Sequence, residues 1–260
     1  MLRSSLTILS IRIKNTLAYS DNRLTLNQES WFESLPQLAD DFYKRHHRPL
    51  VTLSFAQSLD GSIATWNRKQ LALSSRESMI LTHRIRAVSD AIVIGINTLL
   101  SDDPQLNVRL VKGPNPQPIV LDSNLRIPSN ARLLNRSDQR CWLACINGSS
   151  PQKRRSLEDL AAELLYCSAD RTGRVNLPDL LGLLGRKGIK SIMVEGGSQV
   201  ITSFIESRLV DKLIITIAPR LVGGLSALDR PALENSFLHL NSVYYQPCGP
   251  DLVLWALPNW

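Results

Sequence analysis

The sequence is poor in the features that mark whole classes of protein. It has four cysteines, Cys141, Cys145, Cys167 and Cys248, which make no disulfide framework in a chain of 260 residues. Cys141 and Cys145 flank Trp142-Leu143-Ala144 with no histidine nearby, so zinc spacing is missing and a reduced, cytosolic setting is expected. No apolar run approaches the roughly 20 residues that cross a bilayer, and no membrane partner is expected. The fingerprint G-x-G-x-x-G is absent after the first strand, as is a Walker loop. There is no G-x-S-x-G elbow, no H-E-x-x-H, and no H-x-E paired with P-C-x-x-C. A serine hydrolase, a metalloprotease and a zinc deaminase all lose their support. Lys and Arg exceed Asp and Glu, 30 against 23, but they lie scattered, clustering only at Lys44-Arg45 and Lys153-Arg154-Arg155. Without an aromatic-interleaved basic motif, nucleic acid is not an expected partner, and small phosphorylated anions are.

What the sequence does hold is organised around Lys190–Ser203, K-S-I-M-V-E-G-G-S-Q-V-I-T-S. Ile192, Met193 and Val194 suit a buried strand. Glu195 and Gly196-Gly197 follow, then a helical pattern with Val200, Ile201, Phe204 and Ile205 on one face. A strand that runs through two glycines into a helix lets backbone approach a bound group. It also aims free N–H groups at that group, which favours phosphate. Glu195 falls at the carboxyl end of the strand, where open α/β sheets take ligands. A Gly-Gly turn also serves as a plain tight turn, so its meaning depends on the rest of the chain.

The first 20 residues are basic and free of acids, with Arg3, Arg12 and Lys14; they loosely resemble a transit segment, and an uncleaved extension is expected. Trp31, Leu35, Leu38 and Phe42 have helical spacing, with Pro36 as the expected break, and His46-His47 reads as a solvated linker. Leu50–Ala56 reads as a strand, Ser58–Gly61 as a turn, and Ile63-Ala64 as a second short strand. Ser74-Ser75-Arg76-Glu77 resembles a capping box that opens a helix through Met79 and Arg86. Further strands are predicted at Ala91–Gly95, Ile119–Leu121, Cys141–Ile146, Leu164–Cys167 and Leu213–Ala218, with a loop at Ser101–Pro104. Helices are predicted over Pro151–Ala162 and Leu177–Arg186. Ser242–Gln246 and Leu252–Ala256 alternate like an antiparallel hairpin. This order predicts an α/β fold: a mostly parallel sheet flanked by helices on both faces, with an antiparallel C-terminal edge.

Four loops that follow strands carry polar or glycine residues: Ser58–Gly61, Gly95–Thr98, Asp122-Ser123 and Glu195–Ser198. In such a sheet they are expected to crowd one edge, the ligand edge. Arg86 and Arg109 are candidates to reach it, and arginine forks suit a phosphate monoester. A single arginine is also a common surface residue.

The blocks S-L-D-G-S-I-A-T (58–65), L-T-H-R-I-R-A-V-S-D-A-I-V-I-G-I-N-T-L-L-S-D-D-P-Q-L-N-V-R (81–109) and I-V-L-D-S-N-L-R-I-P (119–128) belong together. With M-V-E-G-G (193–197) and L-V-D-K-L-I-I-T-I-A-P-R-L-V-G-G (209–224), they closely resemble the reductase domain of riboflavin biosynthesis. The resemblance runs from about Pro49 to Ala256. Residues 1–48 match nothing in the family and lack the deaminase signature; they are set apart as an extension, with 49–260 as the reductase domain.

The resemblance implies a dihydrofolate-reductase-like fold, a cytoplasmic homodimer, and NADPH as cofactor. The implied reaction reduces the ribosyl group of a small phosphorylated aminopyrimidine to ribityl. It implies cofactor contacts at Ala56, Thr98, Asp102, Ser123, Gly196, Gly197, Ser198, Gln199, Val200, Ile201, Thr202 and Ser203. It implies substrate contacts at Gln70, Arg86, Leu106, Arg109 and Glu195, with the arginines at the phosphate end and Glu195 as the catalytic candidate. No metal is implied. Gln70 and Ala72 stand where many relatives carry Ser and Trp, and Ser54 where many carry Lys or Asn. Hydride transfer needs placement and exclusion of water more than a catalytic dyad, so Glu195 is expected to position more than to deliver a proton. Two other readings stay open, a reductase of the same fold with another acceptor and a nucleotide-binding module without turnover.

Overall fold

The run A-I-V-I-G at Ala91–Gly95 has no polar face, and all five of its residues are buried. Strands of that kind need cover above and below. The computed structural model describes residues 28–67, 69, 71–146, 150–160, 162–229 and 238–260. In chain order its elements are α1 (Gln28–His46), β1 (Leu50–Ser58), β2 (Ser62–Ala64), α2 (Arg76–Val88), β3 (Ala91–Gly95), α3 (Ile96–Asp102) and β4 (Gln117–Leu121). Then come β5 (Trp142–Ile146), α4 (Pro151–Asp159), β6 (Glu163–Cys167), α5 (Leu177–Arg186), β7 (Ser191–Val194) and α6 (Ser198–Glu206). The chain ends with β8 (Lys212–Ala218), β9 (Leu225–Ser226), β10 (His239–Cys248) and β11 (Asp251–Asn259).

The main sheet has the order β10-β11-β8-β1-β7-β3-β4-β5-β6. From β8 to β6 every pairing is parallel. β11 joins β8 antiparallel, and β10 pairs with β11. The mostly parallel sheet and its antiparallel C-terminal hairpin are those the sequence predicts.

Alternation along the strands divides the core between two faces. Val51, Leu53, Val93 and Val194 pack with Leu180 and Leu184 of α5 and Phe204 of α6. On the other face Ile92, Ile94, Val120 and Leu143 form one cluster. Leu50, Met193, Ile214, Val253 and Trp255 form another, with Leu81 and Ile85 of α2 and Trp31, Phe32 and Leu35 of α1. The indole of Trp31 meets that of Trp255 edge-on, ring centroids 5.3 Å apart.

Three local expectations are corrected. Pro36 does not break α1, which continues from Gln28 to His46. The proline costs one backbone hydrogen bond, but the helix is held by its buried face of Trp31, Phe32, Leu35 and Ala39. Tertiary packing wins over local propensity. Residues 101–102 close α3 and do not form a loop; Asp103 ends it in the left-handed conformation. The cap of α2 is Ser75, one residue later than the capping box requires. Its amide is met not by Glu77 but by Asp251, at the start of β11, which accepts from Ser75 N at 2.8 Å and from the Ser78 hydroxyl. The reach-back group comes from 176 residues away, which no local motif contains. The transit-like segment before residue 28 lies outside the described residues. Among the described residues no helix is long and apolar enough to cross a membrane.

Although sequence resemblance begins at about Pro49, the packed core begins with α1. Trp31→Ala should therefore cost about 3–5 kcal/mol in urea unfolding. A chain starting at Pro49 should be destabilised further, with Trp255 and Val253 uncovered. Stability within about 0.5 kcal/mol of the parent for Trp31→Ala would show that α1 adds no packing.

Candidate active site

The parallel strands end on one edge, and a cleft of about 2300 Å³ opens there. That is more than one small ligand fills. It is lined by Ser54–Ala56 of β1, by Gly95–Thr98, by Ser123, and by Glu195–Val200. Three of the four loops singled out in the sequence therefore meet. The fourth, Ser58–Gly61, does not line the cleft. Its Asp60 accepts from the hydroxyls of Ser58 and Ser62 and from the amides of Val222 and Gly223, at 3.0 and 2.6 Å. Those bonds, that from Ser58 foremost, hold the Asp60 carboxyl well below the usual carboxylate range. The turn is a brace for the loop that carries Gly224 to the cleft wall.

The centre of the cleft is a close approach of two strand-to-helix turns. A Cβ on Gly196 would lie 2.4 Å from Cβ of Val200, and one on Gly95 would lie 2.7 Å from Cγ2 of the same valine. Only glycine fits at either place. The amide of Gly197, the N-cap of α6, donates to Oγ1 of Thr98 at 3.1 Å, fastening α6 to α3. The first-turn amides of Ser198 and Gln199 have no acceptor within the helix, and both residues line the cleft. A helix start of this kind is able to cradle a phosphate group.

One end of the cleft is built on a buried ion pair. Arg86 donates from Nε to Oε1 of Glu195 at 2.7 Å and from Nη2 to Oε2 at 2.6 Å. Nη1 of Arg86 donates to the Asn107 carbonyl at 3.1 Å. Burial pulls the Arg86 guanidinium down and the Glu195 carboxylate pushes it up, with a net upward shift. Arg86 is thus committed to orienting Glu195 and is not the free phosphate fork expected from the sequence. Both oxygens of Glu195 are engaged as acceptors, which suits a positioning role.

Arg109 is exposed and is the freer cation here, its Nη1 donating to Oδ1 of the same Asn107 at 2.9 Å. Its amide donates to Nδ1 of the fully buried His83 at 3.1 Å. Burial, with Arg86 and Arg109 adding repulsion, lowers the His83 imidazole to about 4.

The other end is built on the loop after β4. Ser123 lines the cleft, and its Oγ accepts from the Val175 amide at 3.0 Å. Arg126 lies beside it and was not singled out from the sequence; a cation in a loop after a strand was the available signal. Trp66, 80% exposed at the cleft wall, was also missed.

Ala56, Thr98, Asp102, Ser123, Gly196–Val200 and Ser203 all line the cleft. Ile201 and Thr202 do not: both are fully buried beneath α6, where Oγ1 of Thr202 accepts from the Asp229 amide. Neither do Leu106, which packs in the core with Ile94 and Leu99, and the exposed Arg109, which meets the cleft only through Asn107 and Arg86. Gln70 lies outside the described residues.

The model of the RibD C-terminal domain matches residues 49–254. The chain belongs to the RibD C-terminal domain family. A 2,5-diamino-6-ribosylamino-4(3H)-pyrimidinone 5′-phosphate reductase of Archaeoglobus fulgidus is 39% identical over 187 residues, covering 68% of this chain and 83% of that protein. The riboflavin biosynthesis protein RibD of Aquifex aeolicus is 32% identical over 229 residues, 86% of this chain but 62% of that protein. Among solved structures, RibD of Acinetobacter baumannii superposes with a TM-score of 0.74 at 23% identity, covering 87% of this chain and 63% of that one. The riboflavin biosynthesis reductase Rib7 of Saccharomyces cerevisiae gives 0.66 at 24%, covering 87% and 100%. At those identities the structures speak for the fold alone, and the family fold is the one described here.

Removing one partner of the buried pair leaves an uncompensated charge. Arg86→Met should cost about 3–5 kcal/mol, and Arg86→Met with Glu195→Leu should recover most of it. Additive losses in denaturant titrations would show that the two residues are not coupled. His83 sets a pH dependence. Its folded value near 4 lies below the ordinary 6.5, so its contribution is complete above 6.5 and is lost as pH falls toward 4. His83→Asn, which keeps an acceptor for Arg109 but does not titrate, should flatten the stability profile over that window. Superimposable profiles would remove His83 as a cause.

Proposed function

We propose that this chain reduces the ribosyl group of a phosphoribosylaminopyrimidine to ribityl, with NADPH as the reductant. The observation that carries this reading is one cleft holding the Gly196-Gly197 cradle beside the Arg86–Glu195 pair, with Arg109 joined to that pair through Asn107. The substrate class is that named for the Archaeoglobus relative.

The residues present fit a dinucleotide. The absence of a Cβ at Gly196 lets Val200 close against the turn, and α6 starts there with Ser198 and Gln199 lining the cleft. When bound, the reduced nicotinamide supplies the hydride. Thr98 keeps the cradle in register by accepting from Gly197. Arg86 locks the Glu195 carboxylate, whose remaining lone pairs accept from amino or hydroxyl groups of the ligand. Arg109 lies outside the cleft lining, and to meet the phosphate monoester its side chain has to leave Asn107 and swing to the cleft. The single proton required comes from water, since Glu195 is engaged as an acceptor by Arg86. A cytoplasmic homodimer completes the reading; the edge strand β10 exposes Val243, Tyr244 and Tyr245, a face suited to a second copy.

One observation favours a related reading, a reductase of the same fold with another acceptor. Ser54 and Ala72, where the family resemblance implies other residues, both line the cleft.

The test is NADPH absorbance decay with 5-amino-6-(5-phosphoribosylamino)uracil and with its diamino precursor, and detection of a ribityl product. No turnover on either while the cofactor binds would leave the second reading. Arg109→Ala should raise KM by roughly 10- to 150-fold, the worth of a charge-assisted contact of about 1.5–3 kcal/mol. An unchanged KM would place the phosphate elsewhere.

A further inference from the structure

Between α3 and β4 the chain runs through residues 105–109 with neither helix nor strand to satisfy its backbone. Side chains from distant elements do so instead. Nη1 of Arg136 donates to the carbonyls of Gln105 and Leu106 at 3.2 and 3.3 Å. Oδ1 of Asn115 accepts from the Val108 amide at 2.7 Å. Nη1 of Arg86 reaches the Asn107 carbonyl, and Nδ1 of His83 accepts from the Arg109 amide at 3.1 Å. Within this strap Leu106 holds a left-handed φ of 48°. Leucine keeps that conformation only where its surroundings impose it.

His83 is the anchor that local packing explains least. It is fully buried on α2, three residues before Arg86. Because Nδ1 accepts, the ring proton lies on Nε2, a buried atom with no hydrogen-bond partner among the described residues. An apolar side chain of similar volume would bury no lone donor. What histidine adds is one acceptor, aimed at one amide. Burial, first among the causes, holds the imidazole near 4, so the ring is neutral and able to accept near neutral pH.

That amide belongs to the residue whose side chain has to move. The guanidinium of Arg109 is exposed and rests on Oδ1 of Asn107 at 2.9 Å. Asn107 is itself held by Arg86 through its carbonyl, and Arg86 holds Glu195. To meet a ligand beside Glu195, the guanidinium has to release Asn107 and turn. With the amides of Val108 and Arg109 pinned, side-chain torsions alone turn and the Cα stays in place. The ordering cost of binding is then confined to one side chain.

We propose that His83 is a positioning residue for phosphate recognition. By holding the Arg109 amide it fixes the pivot on which that side chain swings from Asn107 to the phosphate of the substrate. The inference rests on the functional reading above, in which Arg109 is the phosphate contact. His83 does not line the cleft, whereas Met79, Thr82 and Arg86 of the same helix do, so its effect passes through Arg109.

Steady-state kinetics of the full chain, with the phosphoribosylaminopyrimidine it reduces and with the dephosphorylated form, read phosphate preference as a ratio of KM values. His83→Leu should reduce that ratio roughly tenfold. Its kcat and its KM for NADPH should change far less. His83→Asn, which restores an acceptor, should recover most of the ratio. In an Arg109→Ala background His83→Leu should add nothing, an outcome that general loosening of the fold does not give. Asn115→Ala, which frees the Val108 amide at a half-buried position, should shift the ratio the same way and serves as the test if His83→Leu does not fold. An unchanged ratio in these variants, or an equal loss with and without Arg109, would overturn the proposal. Failure of the functional reading looks different, because the parent then consumes no NADPH with either compound. Calorimetric titration with D-ribose 5-phosphate and with D-ribose then reads the preference, and the variants have to fall in the same order. A parent that binds both alike, or variants that keep the parent's preference, would sink the role of His83 there as well.

Discussion

Everything at the ligand edge depends on two chain reversals packing against each other. Parallel strands all end on one side because each crossover returns the chain to the opposite side before the next strand begins. That alone yields a row of loops, not a site. The site arises because Val200 fits between Gly95 and Gly196 and because Gly197 is bonded to Thr98. These contacts join the end of β3 to the end of β7, so α3 and α6 start from one fixed point. The cradle, the Glu195 carboxylate one residue before it, and the Asn97–Gln199 bond all take their positions from that junction.

The buried pair of Arg86 and Glu195 obeys a different logic. Taking two charges out of water costs as much as their attraction returns, so such a pair is poor evidence of stability. What it provides here is direction. Glu195 is held from two sides of its carboxylate by a helix residue 109 positions earlier, and the same guanidinium fixes the Asn107 carbonyl. Asn107 in turn holds Arg109. A carboxylate fixed this firmly presents its free lone pairs along set directions, which is what recognition of a flat polar ring requires.

The sequence made the strands legible because each is a short apolar run closed by glycine, proline or an acid, and such runs carry their own signal. It made the Glu195-Gly196-Gly197 turn legible for the same reason. Its errors share a cause. Asp251 takes the amide of the α2 cap Ser75, Asp60 braces a loop, and Arg86 pairs with Glu195; each polar residue is occupied by a partner distant in sequence. Composition and spacing reveal that a side chain is able to bond, not what has already claimed it. Ile201 and Thr202 show the complementary limit: a helix that starts at a cradle turns its next residues away, so a contiguous motif overstates the contact. Pro36 was misjudged because its cost is local, whereas the stabilisation of α1 comes from Trp255 across the core.

The geometry also separates shared recognition from discriminating recognition. Under the proposed function, the α6 start at the middle of the cleft answers to a diphosphate, a group with little individuality. Side chains stand at the two ends, where ligands differ. Ser54, Ala72, Arg126 and Arg174 all line the cleft, and on the proposed reading the first two lie at the acceptor end. A substitution at either end leaves the Thr98–Gly197 bond and the Val200 contacts untouched. A fold arranged this way changes acceptor or cofactor preference one end at a time. On the proposed function, therefore, Ser54 and Ala72 bear on which molecule is reduced, while the hold on the cofactor rests with the two glycine turns.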